Sequence, residues 1–132
     1  MKNINEFIMK YRTVTTYPDV PNIGGKGSMA VSRNPNVICK DGFTMSVQCG
    51  QSLYSSPRDV AQRYREVEIG FPSAPEPLIA EYAEDWEIEG DDDPKLCETV
   101  YGYVPVKLVN KVIKKHGGID EDAVRARMEE AA

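Results

Sequence analysis

The sequence predicts an α+β fold, a small antiparallel sheet covered by two to four short helices, on three observations. Phe43, Met45, Val47 and Cys49 alternate with Thr44, Ser46 and Gln48 directly after Asp41-Gly42, the signature of a hairpin strand with one apolar face. Apolar residues recur at helical spacing at Ile4, Phe7, Ile8 and Tyr11, and again at Val106, Val109, Val112 and Ile113. Nine prolines and ten glycines punctuate the chain between these runs and keep every element short. At 132 residues the chain is one domain's worth, 1–132, divided into an N-terminal helix and extended connector (1–35), an α+β core (36–119) and a C-terminal helix (120–132).

In chain order, Asn3 is placed to cap the first helix, with Glu6 three residues on. Its apolar stripe can dock on its own domain or on another copy. From Thr13 to Asn36, Pro18, Pro21 and Pro35 exclude a long helix and make an extended connector. Within it, Gly24-Gly25-Lys26-Gly27-Ser28 has a phosphate-loop flavour, but Gly27 separates Lys26 from Ser28, which departs from the Walker pattern. A flexible loop, or an auxiliary anion contact by Lys26, is what remains.

Strands are expected at 36–40, 43–49, 66–71 and 99–104. A two-residue type I′ turn at Asp41-Gly42 pairs Lys40 with Phe43 and Ile38 with Met45, burying Ile38 and leaving Val37 and Cys39 on the mixed face. Tyr101 and Tyr103 share one face of the last strand. Helices are expected near 77–84, burying Leu78, Ile79 and Tyr82, and over 105–115, where Lys114, Lys115 and His116 lead into a left-handed cap at Gly117-Gly118. Asp120 caps the last helix.

The net charge of −5 is unevenly spread. Glu76 to Glu98 holds ten acids against Lys95 alone, while the chain on either side is mildly basic. With little apolar content apart from Trp86 and Ile88, 84–94 reads as a mobile loop whose acids serve solvation or, alternatively, mimic nucleic-acid phosphates. The run 51–65 is the chemical counterpoint. Arg58, Arg63 and Arg65 lie beside Tyr54 and Tyr64, a mix of guanidinium forks and aromatic faces that suits phosphates and stacked bases, or else a solvated loop balancing Asp59, Glu66 and Glu68.

Catalysis is not expected. His116, the sole histidine, reads as a helix-end cation, no ligand-spaced His, Cys or carboxylate cluster points to a metal, and no cofactor motif is present. Cys39, Cys49 and Cys97 form no paired motif and read as packing residues of a reduced compartment. No membrane-length apolar run occurs, which predicts a soluble protein.

The strings DGFTMSVQ, YSSPR, VEIGFPS, EYAED and TVYGYVPVKLVNKVIKKHGGI, spanning roughly residues 36–119, resemble a group of small proteins of tailed bacteriophages. In scale and basic-aromatic content the chain is similar to phage sponges that counter Thoeris and CBASS immunity by sequestering cyclic nucleotide signals as homo-oligomers. That resemblance implies a non-enzymatic immune antagonist in the cytoplasm of the bacterial host, binding a cyclic nucleotide or cyclic ADP-ribose-type signal, homo-oligomeric, with no membrane association and no stable nucleic-acid complex. By chemistry the ligand residues are Arg58, Arg63 and Arg65 for phosphates and Tyr54 or Tyr64 for a base, with Lys26, Gln48, Tyr101 and Tyr103 as further contacts. The alternatives are an acidic, anti-CRISPR-like inhibitor that mimics nucleic acid, and a phage accessory protein without a ligand.

Overall fold

Asn3 accepts from the N–H groups of Asn5 and Glu6 and starts helix α1, Ile4–Tyr11, as its capping chemistry requires. The computed structural model of the chain describes residues 1–18 and 29–132, so Lys26 and the glycine run around it lie outside the described residues. The apolar stripe of α1 (Ile4, Phe7, Ile8 and Tyr11) is buried in the protein's own core. Asn110 of helix α2 (Val106–Lys115) accepts the Ile4 N–H at 2.8 Å, and Asn5 exchanges two hydrogen bonds with the backbone of Tyr64. Helix α3, Glu121–Ala131, is capped by Asp120 as its sequence suggests.

The main sheet is antiparallel with strand order β3-β4-β5-β6: Val37–Ile38, Thr44–Gln48, Glu66–Gly70 and Val100–Pro105. The stretch expected to be a connector is extended but also paired, strand β1 (Thr13–Tyr17) running antiparallel to β2 (Met29–Arg33) as a separate arm. Side chains rather than a backbone ladder tie this arm to the main sheet. Asn34 Nδ2 donates to Val47 O at 2.8 Å and Ser32 Oγ to Cys49 O at 2.7 Å, while Gln48 both accepts from and donates to the Asn34 backbone.

The hairpin register differs by one residue from the sequence expectation. Cys39, not Lys40, faces Phe43, because Cys39 N donates to Phe43 O at 2.8 Å and Gly42 N to Cys39 O at 2.9 Å, closing a three-residue loop with Gly42 at φ +95°. Val37 then pairs with Met45 and Ile38 with Thr44. A slip of one residue exchanges the two faces, so Val37 and Cys39 are buried and Ile38 is only half-buried. What selects this register is long-range: the far edge of β3 is occupied by the segment after α2, with Lys40 N donating to Gly118 O, Asp41 N to His116 O and Asp120 N to Ile38 O.

His116 locks that junction. Its ring stacks on Phe43 at 4.0 Å, Nδ1 lies 2.6 Å from Asp41 Oδ2, and Nε2 lies 2.8 Å from Oε1 of Glu76, which is 1% exposed. Glu76 Oε2 takes Lys115 Nζ at 2.9 Å and the Leu78 N–H at 3.0 Å, so with His116 this buried carboxylate has three donors or cations around it. The helix expected at 77–84 is reduced to one 3-10 turn, Ala80–Tyr82, because Glu76 caps the chain at Leu78 and Ala83 turns away to bridge Tyr101. Ile79 is buried as expected, but Leu78 is exposed. The acidic run is also more tied down than a mobile loop: Asp93 accepts from Glu89 N and Lys95 N and caps a 3-10 turn at Pro94–Cys97.

Burial alone raises the Glu76 pKa, but the Leu78 N–H, Lys115 and His116 outweigh it and hold it below the ordinary glutamate range. Asp41 is lowered by the Phe43 N–H and His116, Asp93 by the N–H groups of Glu89 and Lys95, and Glu121 is pushed down to about 2 by Lys10 and Tyr11. Depressed carboxylates stabilise the fold above the ordinary carboxylate range and lose that contribution as pH falls through their folded values. The thermal midpoint should therefore decline as pH drops below about 4.5, and less steeply in Glu76→Gln, which starts lower at pH 7. An identical acid limb in wild type and variant would refute the role given to Glu76. Separately, Asn34→Ala strands the buried Val47 carbonyl and should cost about 1–3 kcal/mol in urea denaturation, with the far-ultraviolet spectrum retained.

Candidate functional site

Residues Tyr54, Arg58 and Tyr103 form an exposed aromatic and cationic patch at the irregular middle of β6. The two strands β5 and β6 pair Val67 with Val104 and Ile69 with Tyr101, so Gly102 and Tyr103 together stand opposite Glu68 alone. This is a β-bulge, and it re-aims the side chains that follow it. Tyr103 sits at φ +54°, a region a bulky aromatic residue occupies only when its surroundings impose it. They do so here, since the Tyr103 N–H donates to Tyr54 O at 3.0 Å.

The bulge overturns the expectation that Tyr101 and Tyr103 share a face. Tyr101 is fully buried, donates its hydroxyl to Leu96 O, and has its pKa pushed up to about 12 by burial. Tyr103 points outward at 42% exposure, its ring centroid 5.8 Å from that of Tyr54 in a tilted arrangement. The Arg58 guanidinium lies 5.5 Å from the centre of the Tyr54 ring, and no carboxylate among the described residues forms an ion pair with it. Gly102 makes the close packing possible: a Cβ there would lie 2.6 Å from a Glu84 carboxylate oxygen and 3.3 Å from Tyr54 Cβ. Two carboxylates thus border the aromatic pair, Glu84 over Gly102 and Glu68 near the Tyr54 N–H at 3.5 Å.

The other residues singled out from sequence are dispersed or already engaged. Tyr64, expected to stack on a base, is 1% exposed; its hydroxyl donates to Asp59 O and accepts from Ala61 N, forming the internal post of the loop. Burial raises its pKa, in keeping with a structural hydroxyl. Arg65 is exposed and reaches Ser56 Oγ at 3.4 Å, on the same turn that carries Arg58. Arg63 lies elsewhere, in a hollow with Asn3, Glu6 and Met9 of the α1 region. Gln48 lines a cleft of about 340 Å³ beside β2, but its amide is spent on the Asn34 backbone and Ser46 Oγ. His116 presents no free ring nitrogen, each being faced by a carboxylate.

The signal for the patch lay in the string TVYGYV. A glycine inside an alternating strand is the usual mark of a bulge or of close backbone approach, and here it is both. Chemically the patch can hold a flat ring against two aromatic faces and an anion at one guanidinium. The described residues contain no group of three or more His, Cys, Asp or Glu side chains able to hold a metal ion, and no helix among them is long and apolar enough to cross a membrane. No protein-family model, no curated protein and no solved structure matches this chain.

Proposed function

We propose that the protein binds a nucleotide-derived signal of the cyclic nucleotide or cyclic ADP-ribose type at Tyr54, Arg58 and Tyr103, and sequesters it without cleavage as a phage antagonist of bacterial immunity. One observation carries the binding reading: Tyr103 is kept in a strained left-handed conformation that sets its ring beside Tyr54, under an arginine without an ion-pair partner among the described residues. Strain retained at an exposed aromatic serves recognition rather than stability. The base stacks on the tyrosine pair, the phosphate meets Arg58 with Arg65 on the adjoining turn, and Glu84 and Glu68 accept from amine or ribose hydroxyl groups. The bordering carboxylates favour a ligand with few phosphates and several hydrogen-bond donors. The phage setting rests on the sequence resemblance.

Calorimetric titration against a panel of cyclic nucleotides and cyclic ADP-ribose isomers tests this. Arg58→Ala should weaken the best ligand by about one to two decades, the worth of a charge-assisted contact. Tyr103→Asn, which tolerates the left-handed region, should lower affinity for the nucleotide while leaving thermal stability unchanged or raised. Tyr64→Leu and Tyr101→Leu act on the core, and their first effect should be on stability. Absence of binding to every member of the panel would end this reading.

A second reading, a protein-binding inhibitor, is favoured by Trp86, which stands 90% exposed among Glu84, Asp85, Glu87 and Glu89. Its test neutralises Asp91 and Asp92 only, because Asp93 holds the loop together.

A further inference from the structure

Among the described residues, no strand pairs with the outer edge of β1 in the β1–β2 arm, and nothing in β1 itself discourages pairing. Every residue of β1, Thr-Val-Thr-Thr-Tyr, is exposed, and the strand contains no charge, no proline and no glycine. Edges of ordinary sheets carry charges, prolines or bulges because unpaired N–H and C=O groups recruit other strands. The direction of the free groups can be read from the inner side. Ala30 N–H points away from β1, to Gln51 Oε1 at 3.0 Å, and Asn34 N–H keeps the same phase, to Gln48 Oε1 at 2.9 Å. Pairs Thr16–Ala30 and Val14–Ser32 are therefore the non-hydrogen-bonded positions of the arm, and Val14 and Thr16 direct their N–H and C=O groups outward.

We propose that β1 is a self-association edge, which joins β1 of a second copy antiparallel across a two-fold axis at Thr15 to make one four-stranded sheet. In that register Val14 faces Thr16 of the second copy, both pairs exchange both backbone bonds, and Thr15 faces its own symmetry mate. A shift of two residues either way leaves an outward carbonyl on each chain facing Arg12, whose N–H already goes to Ile8 O, or Pro18, which has no N–H. Self-complementarity of this kind is what an isologous dimer requires. The uncharged strand brings no like-charge pair onto the axis, and Tyr17, Val31 and Met29 of each copy continue an apolar face on the joined sheet. The surface lies on a different element from the Tyr54–Arg58–Tyr103 patch, so its test is independent of ligand binding.

Sedimentation equilibrium over a range from low to high micromolar concentration should show a reversible dimer. Thr16→Pro removes one outward N–H per chain and leaves the inner ladder intact; it should weaken the dimer about tenfold or more with unchanged thermal unfolding at low concentration. Thr15→Cys should cross-link rapidly under mild oxidation, since non-hydrogen-bonded partners have Cα atoms about 4.5 Å apart, within disulfide range. Thr13→Cys, displaced from its mate by four residues or about 14 Å, should not cross-link. Wild type controls for the native thiols. A monomer throughout, a dimer indifferent to Thr16→Pro, or preferential cross-linking at position 13 would each overturn the proposal.

Discussion

A buried carboxylate that must be satisfied organises the core of this protein. Glu76 is nearly inaccessible, and an unpaired charge there would be prohibitive, so His116, Lys115 and the Leu78 N–H converge on it. His116 can serve Glu76 only if the end of α2 lies against the Phe43 strand, and its other nitrogen then meets Asp41 of the hairpin turn. The same contact line carries the backbone bonds from Lys40 and Asp41 to Gly118 and His116. Turn type, strand register and helix terminus are thereby one coupled choice rather than three local ones.

A different solution holds the β1–β2 arm. Backbone ladders impose a fixed strand spacing, whereas Asn34, Ser32 and Gln48 reach across from side chain to main chain and leave a cleft between β2 and the 46–53 segment. Amide and hydroxyl side chains can satisfy the upper edge of β4 without making the arm part of the sheet. The consequence is an arm whose inner side is anchored and whose outer edge pairs with no strand among the described residues.

At the opposite end of the sheet, irregularity concentrates where recognition is proposed. The bulge at Gly102 and Tyr103 breaks the β5–β6 ladder, Tyr54 supplies the hydrogen bond that the bulged residue needs, and Glu84 closes over the glycine. Tyr101, two residues upstream, does the opposite work and anchors the strand into the core. Adjacent tyrosines thus divide between folding and surface chemistry. The arginines divide likewise, with Arg58 over the Tyr54 ring and Arg63 remote from it.

Much of the fold was legible because its signals are local. The caps of α1 and α3 are made by Asn3 and Asp120 on N–H groups two or three residues away, the glycine pair ends α2, and the alternation of 43–49 correctly assigns its own buried face. The candidate site was legible in part: Tyr54, Arg58 and Tyr103 were marked by their chemistry, but so were Tyr64 and Tyr101, and residue type cannot tell a stacking platform from a core post. Tertiary structure decided what depends on distant partners. Alternation in 36–40 is equally compatible with two registers one residue apart, and the bonds to residues 116–120 selected the one that buries Val37 and Cys39. A helix-like run at 77–84 yielded to the capping of Leu78 by Glu76, whose charge is held by residues some forty positions downstream. Periodicity reports what a segment can bury; which face is buried is set by the partner that the folded chain brings to it.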